Sequence, residues 1–475
     1  MNSSDGSSGR TVPGPQGRAV ALRSVGCRTN QQELVALAAD LAAAGCRLVR
    51  DCRHADTIIV NTCCVTAAAE GKSRRLVAQV ARAAPGARVL VTGCCAQADP
   101  SALAGMRSVQ WVIANSHKQR IAALLDSPPG VYHGAPLEHP RPGALLSADM
   151  GRALGRTRLP VKIQEGCSNR CAYCIVPRVR GPSRSVSADS VVELCRRAAG
   201  AGTREIVLTG THIGQFHDGA SGLEALCGRL AALGGDFRVR LSSLDPRDLT
   251  DGILALLGSS PRFCPHIHVS VQSFAPDVLH GMGREATDTE RLVERLAAFR
   301  ARYPHAALGA DLIVGFPGES DGMFARTVDG VRAAGFTHGH VFRFSARPGT
   351  PAALMRPRVE SAVARDRHAR LCAHLAALNE SFLAGCIGQP HRLVIEQAEP
   401  VRGLSGNYIR VRVDGGQARP GEWLDVMLTG RLRSAREQCT AEPLGPEVAA
   451  DSGGRPPTCA DGRRTGGGVA AHGSA

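Results

Sequence analysis

Apolar positions recur along this chain with two different periods, and the places where the period changes divide it into three blocks. Between about residues 18 and 138, short apolar runs (RAVALRSVG, DTIIVNTC and ARVLVTGC) alternate with stretches of helical period such as QQELVALAADLAAAG. Apolar runs separated by helices predict a small parallel α/β sheet. Between about 158 and 385 the runs LPVKIQ, TREIVLTG, FRVRLSS, HIHVSVQS, ALGADLIVGF and HGHVFRFS recur, again with helical segments between them. Six strand-helix repeats in one direction predict a partial or complete parallel (β/α) barrel. From about 386 to 446 the pattern shortens to HRLVIEQAE, NYIRVRVDGG and EWLDVMLTGRL, alternating strands with glycine turns, as expected of a small antiparallel β-barrel. The predicted class is α/β: a parallel α/β domain, a barrel, and a small β-barrel.

The ends and the joints read differently. Residues 1–17 and 447–475 are rich in Gly, Ser and Pro and are expected to be disordered. A connector over 139–157, including GAPLEHPRPGALL, separates the first two blocks. No apolar run approaches the length of a membrane span and the N-terminus has no apolar leader core, so a cytoplasmic protein with no membrane partner is expected.

The cysteines change the picture most. The chain has 17 of them, and in a reducing compartment such cysteines bind metal or do chemistry more often than they form disulfides. Cys46, Cys52, Cys195, Cys227, Cys264 and Cys372 stand singly in or near apolar segments and are assigned to the core. Eight others form a pattern. Each strand of the first block runs into cysteine: Cys27, then Cys63 or Cys64, then Cys94 or Cys95. Parallel sheets bind ligands beyond their strand carboxyl ends, so these residues should converge. In the second block EGCSNRCAYC places Cys167, Cys171 and Cys174 directly after the first barrel strand. A structural zinc site wants four ligands, and a [4Fe–4S] cluster normally takes four thiolates. Three leave one iron with an open position, the mark of a reactive centre.

Charge adds a partner class. Lys and Arg number 57 against 42 Asp and Glu, a net of +15. The tail contributes none of it, because Glu447, Asp451 and Asp461 cancel Arg455, Arg463 and Arg464. A basic folded body suits a polyanion such as RNA.

C-x3-C-x2-C after the first barrel strand, with an aromatic before the third cysteine, resembles the radical S-adenosylmethionine superfamily. SVGCRTNQQE, VNTCCVT and VTGCCAQ are similar to the N-terminal domain of its methylthiotransferases, and the C-terminal block resembles the RNA-binding TRAM domain. KIQEGCSNRCAYCIVPRVRGPSRS, LTGTHIG, RLSSLDP and DLIVGFPGE look most like the branch that methylthiolates N6-threonylcarbamoyladenosine at position 37 of tRNA. The alternatives are a branch acting on isopentenyladenosine or on a ribosomal protein, and, from another class, a non-catalytic iron–sulfur or zinc protein that binds RNA. One departure is Phe274, where the family pattern has glycine.

The resemblance implies two [4Fe–4S] clusters, one on Cys167, Cys171 and Cys174 and one on Cys27, Cys63 and Cys94, with Cys64 and Cys95 as the alternative register. It implies that one S-adenosylmethionine methylates a cluster-bound sulfur and that a second is cleaved to a radical that takes hydrogen from adenine C2, where the methylthio group is delivered. An electron donor and a sulfur source are then required. Both triads must face one cavity, with the N-terminal sheet edge over the barrel mouth. Cofactor contacts are expected from strand ends: Tyr173, Thr209, Gly210, Ser242, Ser243, Gln272 and Asp311. Each also has a structural reading, as packing, turn chemistry or an internal hydrogen bond. His266 and His268 share a strand face and read as satisfied core histidines. Arg178, Arg180 and Arg184 could grip tRNA phosphates or the nucleoside carboxylate, and Arg410, Arg412, Arg431 and Arg433, with Arg436 near by, backbone phosphate.

Overall fold

The computed structural model describes residues 17–141, 157–432, 434 and 437–444. The two terminal segments expected to be disordered (bar Gly17), most of the connector, Arg433 and Arg436 lie outside the described residues.

The first block is a six-stranded, wholly parallel sheet. Its strands are β1 (Ala19–Ser24), β2 (Arg47–Val49), β3 (Thr57–Thr62), β4 (Arg88–Gly93), β5 (Val109–Ile113) and β6 (Gly130–Tyr132), in spatial order β2-β1-β3-β4-β5-β6. All six residues of β3 are buried, and helices cover both faces, so the strands read as continuous apolar runs. The parallel direction sends the ends of β1, β3 and β4 to one edge.

The second block carries six parallel strands: β7 (Leu159–Lys162), β10 (Glu205–Thr209), β13 (Arg238–Leu241), β14 (His266–Gln272), β15 (Ala307–Val314) and β16 (His338–Arg343). They form two three-stranded sheets, β13-β10-β7 and β14-β15-β16, joined by the parallel bridges Val239↔Phe263 and Leu244↔Val269. The barrel is therefore partial, as one of the two expected forms. Two small pairings ornament it: β8 (Gln164–Glu165) with β9 (Arg184–Ser185), and β11 (His217–Asp218) with β12 (Ser221–Gly222). Val239, Leu241, Ile206, Leu208, Ile267, Val269, Leu308, Ala310 and Leu312 pack in one core with the surrounding helices. By alternation Glu205, Thr209, Arg240, Ser242, His266, His268 and Asp311 turn to the barrel interior.

The third block is a closed barrel of β17 (Pro390–Ala398), β18 (Val401–Ser405), β19 (Arg410–Val413), β20 (Trp423–Arg431) and β21 (Cys439–Pro443), in order β17-β18-β19-β21-β20. The expectation of a purely antiparallel barrel needs correction, because β19 and β21 pair in parallel to close it. The helix Ser361–Cys386 belongs to both cores: Leu371 and Leu375 enter the central one, Phe382, Leu383 and Cys386 the C-terminal one.

The seam between these two domains is ionic. Glu205, fully buried, binds Arg240 (Nε to Oε1, 2.8 Å) and Arg238 (Nε to Oε2, 2.8 Å). Arg238 donates on to the carbonyls of Arg392 and Leu404, and Arg240 to those of Ser405 and Gly406. Two arginines thus cap one buried carboxylate and tie the β-barrel to the floor of the larger one. Such pairs hold well when intact and destabilise strongly when one member is removed.

Among the isolated cysteines, Cys46, Cys52, Cys195, Cys227 and Cys264 are buried. Cys372 is not. It lies on the exposed side of the long helix beside His368, so its assignment to the core was an error of reading one helical face as another.

Candidate cluster sites and their surroundings

The contiguous triad sits in a loop closed at its base by the β8/β9 pairing and by Cys167 N–H donating to the Gly181 carbonyl at 3.0 Å. Gly166, at φ 77°, makes this closure possible, since a Cβ there would lie 2.0 Å from the Pro182 oxygen. A turn then brings Cys174 N–H to the Cys171 carbonyl (3.0 Å). Burial, with Cys171 and Cys167 alongside, pushes the Cys174 thiol up to about 12.

Two partners of this loop come from elsewhere in the chain. His212 reaches Cys167 (Nδ1 to Sγ, 3.7 Å) and Asn169, and its other ring nitrogen lies 2.8 Å from Asp248 Oδ2. Burial lowers the His212 pKa, but hydrogen bonds to Asp248 and Cys167 outweigh it and bring it to about 9. Arg284 extends Nη1 to Cys171 Sγ (3.8 Å) and Nη2 to Asp245 Oδ2 and the Ser270 carbonyl, both at 2.8 Å. Sequence reading assigned roles to none of these four. His212 stands inside the quoted LTGTHIG, where a histidine one turn past a barrel strand was the available signal.

The dispersed triad is assembled by the parallel sheet. Cys27 caps the N-terminus of the helix Arg28–Ala43 just after β1, Cys63 directly follows β3, and Cys94 directly follows β4. Burial, then Cys94 and Cys27, raises the Cys63 thiol to about 12. A hydrogen bond with Cys95, then burial, raises the Cys64 thiol. Cys64, Cys94 and Cys95 all pack in the same helix-facing core. Two glycines allow the close approach. A Cβ on Gly26 would lie 2.6 Å from Cys63 Cβ, and one on Gly93 (φ +98°) 2.4 Å from the Thr62 oxygen.

One polar network links the two triads. Asn30 Nδ2 donates to the carbonyls of Val25 (2.8 Å) and Thr62 (3.0 Å), and its Oδ1 lies 3.7 Å from Cys27 Sγ. Arg180, six residues beyond Cys174, donates to that same Oδ1 at 2.8 Å, to Glu33 at 2.6 Å and to Glu165 at 2.8 Å. Lys118 adds a 2.7 Å bond to Glu33, and Lys162 a 3.0 Å bond to Glu165. Burial opposes ionisation of Glu33, but Arg180, Lys118 and Lys162 hold its carboxyl well below the usual range. Thr29 Oγ1 donates to the Gly210 carbonyl (3.1 Å), and Arg347 pairs with Glu70, so the N-terminal sheet edge rests on the strand ends of the barrel.

Arg180 therefore corrects an expectation. It is 3% exposed and its guanidinium is consumed by two carboxylates and Asn30, so it is a seam residue and not a grip for tRNA. Arg184 is half-buried and donates to the Arg180 carbonyl. Arg178 is the exposed member of the three, its guanidinium lying over Gly349.

The remaining site candidates divide. Thr209 is 1% exposed and its Oγ1 has no hydrogen-bond partner in the structure. Gln272 follows a bulge in β14 and holds φ 70°, a strained conformation for a non-glycine residue, with its side chain buried. Ser242 is buried; Ser243 and Tyr173 are half-buried. Gly210 packs against Gln164, whose Oε1 accepts the N–H groups of Thr211 and His212. Asp311 lies in mid-strand, taken up by His268, His340 and Ser270. Phe274 causes no strain: positive φ falls at Gln272, while the Phe274 ring fills space over Gly330, where a Cβ would meet it at 2.3 Å.

In the C-terminal barrel Val411 and Val413 point inward and Arg410 and Arg412 outward, as the alternation requires. Arg412 is engaged by Asp414 (3.0 Å) and Glu437 (3.7 Å). Arg431 donates to the Glu380 carbonyl.

Comparison with known proteins follows the same division. Residues 161–331 match the radical SAM superfamily and residues 19–114 the uncharacterized protein family UPF0004. A threonylcarbamoyladenosine tRNA methylthiotransferase of Thermotoga maritima is 32% identical over 91% of this chain and 99% of its own length. A tRNA-2-methylthio-N(6)-dimethylallyladenosine synthase of Frankia alni is 31% identical over 90% of this chain and 88% of its own. A radical S-adenosylmethionine methyltransferase, TsrM of Kitasatospora setae, shares the fold, with TM-score 0.56 and 16% identity over 71% of this chain and 75% of that one. With both domains matched, each bearing its cysteine triad, and relatives aligned over nearly their whole length, the chain belongs to the radical SAM tRNA methylthiotransferase family.

Proposed function

We propose that this protein methylthiolates C2 of N6-threonylcarbamoyladenosine at position 37 of tRNA, with S-adenosylmethionine and two [4Fe–4S] clusters. The observation that carries the reading is the Arg180–Asn30 link, which joins the loop of one cysteine triad to the loop of the other across the domain seam. Cys167, Cys171 and Cys174 would hold the first cluster, and Cys27, Cys63 and Cys94 the second. When bound, the first supplies reductive cleavage of S-adenosylmethionine and the second a site for the transferred sulfur.

The chain's own residues would do the positioning. His212, fixed by Asp248, directs a ring nitrogen at Cys167, and Arg284, fixed by Asp245, directs its guanidinium at Cys171. Thr209 offers an unpartnered hydroxyl at the second strand's end, and Ser242, Ser243, Gln272 and Tyr173 line the same rim. The buried Thr209 hydroxyl needs a partner, which a bound cofactor would supply. Arg178, beside the cluster loop, and the outward-facing Arg410 and Arg412 of the C-terminal barrel would meet nucleic acid, contributing affinity through phosphate.

Deletion of the gene, with nucleoside mass spectrometry of total tRNA, tests the reading. Loss of the methylthio form of N6-threonylcarbamoyladenosine, restored by the wild-type chain but not by Cys171→Ala, is expected. Loss instead of a methylthiolated isopentenyladenosine would assign the chain to the other branch.

A further inference from the structure

A second group of potential ligands lies in the barrel interior, away from the cysteines. His266 and His268 on β14, Asp311 on β15, and His338 and His340 on β16 face one another across three adjacent parallel strands. The register sets Gly309 between His268 and His338, and Asp311 beside His340. Gly309 is what lets the rings approach: a Cβ there would lie 2.4 Å from His268 Nδ1 and 2.5 Å from His338 Nε2.

We propose that His268, Asp311 and His340 form a site for a divalent first-row transition-metal ion. Their ligand atoms all lie within 4.8 Å of one another. His268 Nε2 and His340 Nδ1 each stand 3.0 Å from Asp311 Oδ1. Ligands at about 2.1 Å from one ion are separated by about 3.0–3.4 Å, so little movement is needed. His268 is 6% exposed, yet its Nε2 makes no aligned hydrogen bond despite that short distance. A buried nitrogen aimed at a carboxylate without a properly directed proton between them is what an ion would satisfy. Ser270 Oγ donates to the other carboxylate oxygen at 3.1 Å, the kind of outer support that orients ligands. His340, with its side chain 60% exposed, gives an ion a way in.

The deeper histidines are less suited. His266 and His338 stack at 5.4 Å between ring centroids and press on Tyr408 of the C-terminal barrel. Among the described residues no carboxylate belongs to that group, and Arg240 and Arg410 lie over the Tyr408 ring beside it. The carboxylate that can offset an ion's charge is one layer higher. Two imidazoles and a carboxylate with open positions select zinc, iron or cobalt over calcium or magnesium, and no sulfur takes part.

Zinc is the probe. Holoenzyme with both clusters assembled, exposed anaerobically to one equivalent of zinc and desalted, should retain about one zinc per chain with its iron unchanged. Zinc-edge X-ray absorption should show nitrogen and oxygen ligands, including imidazole, and no sulfur. His340→Gln should weaken zinc retention about tenfold or more and leave iron content intact. His368→Gln, at the surface near Cys372, should change neither. Absence of retained zinc, sulfur in its first shell, or equal retention by the His340→Gln variant would each overturn the site.

Discussion

The two cysteine triads are built by opposite constructions. Cys167, Cys171 and Cys174 span eight residues of one loop, closed by a single pairing of β8 with β9 and by a strained-glycine turn. Cys27, Cys63 and Cys94 come from three strand ends and exist as a site only while β1, β3 and β4 keep their register. A local loop survives small shifts of the surrounding sheet. A site made of distant strand ends is as stable as the domain that aligns it, and here it is braced from outside by Arg180. The dispersed site should therefore be the fragile one.

Ligand removal gives the largest effect. Cys171→Ala and Cys63→Ala should each lower iron by about four per chain after anaerobic reconstitution, and both should abolish methylthiolation. Cys64→Ala and Cys95→Ala should keep about eight irons, because these thiols face each other. Equal iron loss in Cys63→Ala and Cys64→Ala would undo the register.

Breaking the brace comes next. Glu33→Ala leaves Arg180 short of a buried partner and should cost about 3–5 kcal/mol, read by thermal denaturation. The comparison predicts more: under mild warming this variant should lose the irons of the N-terminal domain before those of the barrel loop. Simultaneous loss would mean that the brace supports both alike.

A smaller change sharpens the same point. Gly93→Ala places a Cβ against the Thr62 carbonyl at a positive φ and should destabilise by about 1–3 kcal/mol, with iron lost from the dispersed site only. Denaturant unfolding with iron analysis reads both. The smallest effect concerns RNA. Arg410→Ala with Arg412→Ala should lower the log-log salt slope of tRNA binding by less than about two units, because Asp414 and Glu437 already engage Arg412.

Arg180 shows where sequence reading misses. In CIVPRVRGPSRS it is one of three arginines in a short basic run, and the pattern alone favours a solvated or phosphate-binding loop. Burial depends on Glu33, 147 residues earlier, meeting it across a domain seam. Arg238 and Arg240 escaped notice likewise: they alternate with apolar residues as a half-buried strand should, but their partners are Glu205 and carbonyls of another domain. Long-range ion pairs leave no periodic trace. His266 and His268 of β14 were legible as sharing a strand face, yet the meeting of His268 with Asp311 and His340 required the order β14-β15-β16.

By itself the sequence determined the three-block order, the parallel direction of the first two blocks, the contiguous triad and the presence of cysteine at three strand ends. These rest on local periodicity and on the rule that parallel strands deliver their carboxyl ends to one edge. Tertiary structure alone decided that Arg180 is a brace, that His212 and Arg284 attend the cluster loop, and that Phe274 is accommodated by Gly330. Each of those outcomes depends on where side chains from distant segments meet. That is settled by packing and by the cost of burying an unpaired charge, neither of which has a signature at short range.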